Sequence, residues 1–261
     1  MVEKPRILIL MYHSVSDSGE YRELPPDCRP FGYRVGVRDL QDHLEILQEE
    51  GCTTILLQDL AEAREGRARL PSRPVILTFD DGYEDNFSRV FPLLCSAGCR
   101  AAFFLSVSHL GCPGMLTWEE ASRLAAAGME IGSHGMNHGL LRGKSEAELR
   151  WELEESRRRL EERLGVEPQY FSLPRGYLPR ALPRLALQVG YRGLCTSRPG
   201  FNNLRTSPFR LRRFAVRSGI SPADFRALIS GRGWRYSRLY LSEAVRDLAR
   251  LRHYRPGREG Q

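Results

Sequence analysis

Short, uninterrupted apolar runs alternate along this chain with stretches whose apolar residues recur every three or four positions. The runs at 6–11, 74–79 and 101–105 show no polar alternation, which marks strands buried on both faces. Leu40, Leu44 and Leu47 give helical spacing to 37–50, and Gly51 stops it. The same reading predicts strands at 53–57, 129–132, 170–173 and 192–196. It predicts helices at 60–69, 86–97, 118–127, 145–164 and 179–189, with Gly98 and Gly128 closing two of them. The polar, proline-containing stretch 16–30 reads as a surface loop. Beyond residue 196 the clearest signals are a strand at 211–216 and helices at 222–229 and 242–252.

Strands and helices alternating at this rhythm predict parallel βα units. About seven strands within 261 residues favour a single (β/α) barrel over an open sheet. The expected division is a barrel domain at 1–220 and a basic helical extension at 221–261 packed on the same domain. With 41% hydrophobic and 27% charged residues the chain is globular, which excludes collagen-like and wholly disordered classes. No apolar run approaches the ~20 residues that span a bilayer, and the early run is too short for a signal-peptide core. A cytoplasmic location is therefore expected.

The net charge of +7 is uneven: from Pro199 onward, fourteen Arg face four acidic residues. That excess reads either as a solvated face or as a surface for an anionic lipid or lipid-linked sugar. In the second case the apolar stripe Tyr240, Leu241, Ala244, Val245, Leu248 and Leu251 would face the membrane. Neither finger spacing nor an aromatic-interleaved RNA motif accompanies the charge, so nucleic acid is disfavoured. Six cysteines in so long a chain predict free thiols, with Cys95 and Cys99 as buried ones.

The unusual polar residues fall just after predicted strands. Tyr12-His13-Ser14 follows the first, Asp80-Asp81-Gly82 the third, Ser133-His134-Gly-Met-Asn-His138 the fifth and Pro174-Arg175-Gly176 the sixth. In a parallel barrel these loops gather on one face, where such folds keep their sites. Singly each is weak: Asp-Asp-Gly also suits a turn with a helix cap, and two His four apart are as often structural as ligating. Together, one carboxylate and two imidazoles make a facial triad that leaves positions open for water and substrate. Zinc suits these ligands, and cobalt, nickel, manganese or iron also fit.

These segments resemble the polysaccharide deacetylases of carbohydrate esterase family four. The matching stretches are Leu77-Thr-Phe-Asp-Asp-Gly-Tyr83, Glu130-Ile-Gly-Ser-His-Gly-Met-Asn-His138 and Phe171-Ser-Leu-Pro-Arg-Gly-Tyr177. Met11-Tyr-His-Ser-Val15 resembles members that carry a Tyr-His-Ser signature near the start. The resemblance implies a distorted barrel of about seven strands and an enzyme that removes N-acetyl groups from an amino sugar in a glycan or glycan precursor. It implies one divalent metal ion on Asp81, His134 and His138, with Asp80 as the general base. It places the oxyanion and substrate at the Arg175 amide, Pro174 and Tyr177. For the general acid, His13 has better context than His253, which sits among arginines in a late helix.

The chain departs from that family pattern at three points. Ser172 stands where many members have an Arg that pairs with the catalytic Asp, and Gly135 where a Ser or Thr often follows the first metal His. The later Asp-and-Trp motif is not recognisable. Arg175 and Arg213 are candidate replacements for the missing Arg, although either reads more simply as a surface charge. The competing functions are a non-catalytic carbohydrate-binding protein and another C–N hydrolase on the same scaffold.

Overall fold

Alternation within strands buried on both sides decides which side chains face the helices and which fill the barrel. The computed structural model describes residues 6–17, 24–25 and 32–253, with side chains through Arg246. Its strands are β1 (Leu8–Tyr12), β2 (Thr53–Thr54), β3 (Pro74–Asp81), β4 (Ala101–Leu105), β5 (Glu130–Ser133), β6 (Tyr170–Ser172), β7 (Gly193–Cys195) and β8 (Phe214–Ala215). All pair in parallel in the order β7-β6-β5-β4-β3-β1-β8, while β2 pairs with the start of β3. The last seam is short. Leu211 donates to the Leu194 carbonyl at 3.0 Å and accepts from Thr196 at 2.9 Å, just before β8 joins β1. The sheet therefore curls into the distorted α/β barrel that the sequence predicts.

Leu8, Leu10, Leu77, Phe79 and Phe103 pack in the cluster that includes the helices, whereas Ile7, Ile9, Ile76, Phe104 and Leu211 form a second cluster inside. Thr78, Asp80, Ser172 and Arg213 share the parity of this inner set, so polar chemistry enters at the ends of inward-facing rows. Helix α1 (Val37–Glu49) is followed by α2 (Leu57–Arg64), whose Leu57 and Leu60 join the inner cluster. Glu130 accepts from the Leu57 amide at 2.8 Å, and the Tyr170 hydroxyl donates to the Leu57 carbonyl at 2.9 Å. Helix α2 thus closes the barrel where β5 and β6 begin. This is why the strand expected at 53–57 stops early.

The remaining helices are α3 (Phe91–Ser96), α4 (Trp118–Ala126), α5 (Glu146–Leu164), α6 (Leu182–Val189), α7 (Pro222–Ser230) and α8 (Gly233–His253). Capping boxes at Thr117 and Ser145 start α4 and α5 at the expected places. The helix expected at 86–97 is instead a π-helical turn at Asn86–Val90 followed by α3. The turn brings the Asn86 amide to the His13 carbonyl at 2.9 Å, and such bulges commonly accompany sites. Cys95 is exposed rather than buried, because it lies on the outer side of α3; Cys99 is buried as expected.

Helix α7 stacks Phe225 on His43 of α1 at a centroid distance of 3.9 Å. Helix α8 begins well before 242 because Tyr236 and Leu239 pack on the core beside Phe214. Within the expected α8 stripe, Tyr240 approaches Phe214 while Leu241 and Val245 are exposed. The side chains of Leu248, Leu251 and His253 lie outside the described residues. Among the described residues no helix is long and apolar enough to cross a membrane.

Candidate active site

Asp80 and Asp81 end β3, and their carboxylates meet different partners. Asp80 is buried on the inward face. Arg213 reaches it from the segment leading into β8, Nη1 donating to Oδ1 at 2.7 Å and Nη2 to Oδ2 at 2.8 Å. Ser172 Oγ donates to Oδ2 at 2.9 Å and itself accepts from Arg213 Nη2 at 2.8 Å. Arg213 also donates to Thr78 Oγ1 at 3.2 Å and, through Nε, to the Thr196 carbonyl at 3.0 Å. Burial pushes the Asp80 pKa up, but the Arg213 charge, His134 and the Arg213 hydrogen bonds hold it below the usual carboxylate range.

Arg213 is thus no surface charge: it is 1% exposed, because a bidentate carboxylate and three further acceptors occupy its guanidinium. It supplies from the β8 side the cation that Ser172 lacks, and Ser172 has become a small bridging donor. Arg175, the other candidate for that place, keeps its side chain exposed.

Asp81 has φ 78° at the point where β3 ends. The Tyr83 hydroxyl donates to Oδ2 at 2.9 Å, while Oδ1 faces Nε2 of His134 and Nε2 of His138, each at 3.1 Å. His134 Nδ1 lies 2.9 Å from the Ser172 carbonyl, which can only accept. That contact puts the proton on Nδ1 and leaves the Nε2 lone pair of neutral His134 for a ligand. Asp81 Oδ1 is buried and accepts no hydrogen bond among the described residues. Ligand atoms from the three side chains lie within 4.8 Å of one another. Converging buried acceptors require a cation or a proton between them, and an Asp-His-His set fits a divalent ion. Burial works against the Asp81 charge, yet His138 and His134 hold its carboxyl well below the usual range.

The two histidines sit in a loop rather than on a helix, as the intervening glycine predicts. Gly135 has φ 82°, and a Cβ there would stand 3.2 Å from Glu152 Oε2. This accounts for glycine where the family pattern has Ser or Thr. Glu152, buried on α5, accepts from the Met136 amide at 2.8 Å and pairs with Lys144 at 3.3 Å, which anchors the loop. His138 has φ 51° and Arg175 φ 56°; with Asp81 they are the only non-glycine residues of positive φ among the described residues. Backbone strain of this kind concentrates at functional sites.

His13 follows β1, half-buried, with its ring centroid 4.5 Å from Tyr33. Burial lowers its pKa to about 4 and outweighs the raising effects of Asp81 and Asp80. The imidazole is therefore neutral at pH 7, and its buried Nδ1 makes no hydrogen bond among the described residues. Ser14 Oγ donates to Asp85 Oδ2 at 2.6 Å, tying the signature to the turn that holds Asn86. After β6, Pro174 is buried and Tyr177 half-buried. A Cβ on Gly176 would come within 1.6 Å of Ser197 Oγ, so this tight turn excludes every side chain.

A family model for polysaccharide deacetylases matches residues 67–194, the span that carries Asp80, Asp81, both histidines and Arg175. Over that span, just under half of its length, the chain is similar to the polysaccharide deacetylases. It is 27% identical over 228 residues to the polysaccharide-deacetylase-like protein YxkH of Bacillus subtilis, covering 87% of this chain and 77% of that one. A shorter match, 40% over 55 residues, joins it to the poly-beta-1,6-N-acetyl-D-glucosamine N-deacetylase of Escherichia coli K12. That match spans 21% of this chain and 8% of that enzyme. Among solved structures, the Streptococcus pyogenes deacetylase PplD superposes with a TM-score of 0.76 at 20% identity, covering 85% of this chain and 96% of that one. IcaB from Ammonifex degensii gives 0.74 at 23%, covering 90% and 98%. At these identities the two structures establish a shared fold.

The sequence reading named the residues on the motifs and missed those that hold them. The role of Ser172, Tyr83 on Asp81, Asp85 on Ser14 and Glu152 under the histidine loop all went unpredicted. Arg213 had a readable signal. Leu211 and Arg213 flank the exposed Arg212 in a strand-like segment, so two-residue alternation points Arg213 inward with Leu211.

Proposed function

We propose that this chain is a metal-dependent hydrolase that removes N-acetyl groups from amino sugars of a glycan. The observation that carries the reading is the pair of adjacent carboxylates with separate tasks. Asp81 turns an unpartnered oxygen toward two imidazoles, while Asp80 is held ionised by Arg213 and Ser172. A non-catalytic binder has no use for the second carboxylate. The family, and the amino-sugar polymer named for the Escherichia coli relative, support an N-acetylated polysaccharide as substrate.

In this reading Asp81, His134 and His138 hold one divalent ion, with zinc the expected metal. Once bound, such an ion lowers the pKa of water and polarises the acetamide carbonyl. Asp80 takes the proton that water releases as its oxygen adds to the carbonyl carbon. The Arg175 amide stabilises the oxyanion, and Pro174 and Tyr177 shape the substrate edge. When the C–N bond breaks, the departing amine needs a proton, and His13 delivers it. Because His13 is neutral at rest, the proton it passes to the amine is the one that Asp80 took from the attacking water, which restores both groups. The products are a free amino sugar and acetate.

The deciding experiment incubates the purified chain with N-acetylglucosamine oligomers and measures released amine and acetate. Activity is expected to vanish with a strong chelator and return with added zinc or cobalt. Full activity in the chelated protein would remove the metal from the reading, and no release from any acetylated oligomer would sink it.

The His13 role has its own signature. His13→Ala is expected to lower turnover about 100-fold with metal content unchanged. The pH–rate profile should show no descending limb near 6.5. A standing acid with an ordinary histidine pKa would lose its proton there, whereas His13, lowered to about 4, is already neutral. A limb near 6.5 that disappears in His13→Ala would overturn the neutral resting state.

A further inference from the structure

Outside the acid-base centre, the long connection from β7 to β8 and helix α8 line a half-open cavity of about 680 Å³. That volume suits an oligosaccharide rather than a single ion. Four arginines line it: Arg198, Arg205, Arg210 and Arg212. Among the described residues, none of their guanidinium groups is hydrogen-bonded or ion-paired and no carboxylate lines the cavity. On α5, by contrast, Arg150, Arg157, Arg158 and Arg159 each pair with a glutamate. Four like charges around one hollow repel each other unless a ligand supplies the counter-charge.

The other lining groups suit a sugar. Thr206 and Asn203 offer hydroxyl and amide groups, and Tyr240 offers a partly exposed ring. The cavity also adjoins the catalytic machinery. Thr196 lines it, and the Thr196 carbonyl accepts from Arg213, which holds Asp80. Leu178, directly after Tyr177, lines it as well.

We propose that this cavity is a substrate subsite for an anionic saccharide, binding phosphate or carboxylate groups on sugar units next to the one being deacetylated. Guanidinium forks recognise either oxyanion in a bidentate manner, and neutral amino-sugar polymers would leave all four unmatched. The proposal rests on the deacetylase reading for its substrate but not for its test, which measures binding alone. It can fail while deacetylation stands, and it can hold if deacetylation fails.

The test is calorimetric titration of the full chain at low salt with three probes of similar length: a phosphorylated pentasaccharide, an oligogalacturonate pentamer and neutral chitopentaose. At least one anionic probe is expected to bind more tightly than chitopentaose, and the one that does identifies the oxyanion. The exposed double variant Arg210→Gln/Arg212→Gln should weaken that probe by about tenfold or more and leave chitopentaose unchanged. Arg158→Gln/Arg159→Gln, with the same loss of charge on α5, should leave all three unchanged. Equal binding of charged and neutral probes would overturn the subsite. So would equal losses in the two double variants, which would indicate attraction by net charge alone.

Discussion

Asp80→Asn is expected to cut turnover by about 100-fold or more while the protein keeps its full complement of metal, since general-base contributions are of that size. Asp81→Asn is expected to lose metal as well as activity. The difference follows from where each carboxylate points. The two oxygens of Asp80 are taken up by Arg213 and Ser172, and the amide introduced by Asp80→Asn would keep one acceptor for them but no base. Asp81 Oδ1 stands against His134 Nε2 and His138 Nε2, and an amide there offers the ion a neutral oxygen in place of a charged one. Metal content by mass spectrometry beside amine release separates the two. If Asp80→Asn emptied the site, or Asp81→Asn stayed metal-replete and active, the assignments would be reversed or wrong.

How much of this was legible beforehand depended on what each residue answers to. Strand cores such as 74–79 and 101–105 were clear because burial on both faces writes a continuous apolar run. The convergence of His13, Asp81 and His134 followed from parallel topology alone. The site's inner support was not legible, because it depends on long-range contacts: Arg213 meets Asp80 across 133 positions and Ser172 meets it across 92. No local pattern records such a pairing. An arginine in an arginine-rich chain looks like surface until strand parity is applied to it. The early start of α8 was hidden for a related reason, since tertiary packing of Tyr236 on Phe214 decides it, not helical periodicity.

Arg213→Met is expected to destabilise the fold by about 3–5 kcal/mol, because it leaves the Asp80 charge buried without its partner. In a domain of this size that corresponds to about 6–20 °C in Tm. The double variant Asp80→Asn/Arg213→Met removes both charges from the barrel and is expected to recover most of that loss, since a buried pair replaced by uncharged groups of similar volume often costs little. Both variants should be nearly inactive, so the cycle separates folding from catalysis. The pH dependence has a definite sign. Asp80 titrates below its unfolded value, so the pair's stabilisation is present above the ordinary carboxylate pKa and is lost as pH falls through the lowered folded one. Thermal unfolding at pH 7 and under increasingly acid conditions should show wild type losing stability over that acid range. The double variant should lack this component. If Arg213→Met melted within a degree or two of wild type, or if the double variant were no more stable than the single one, Asp80 would not be held by Arg213 as the geometry requires.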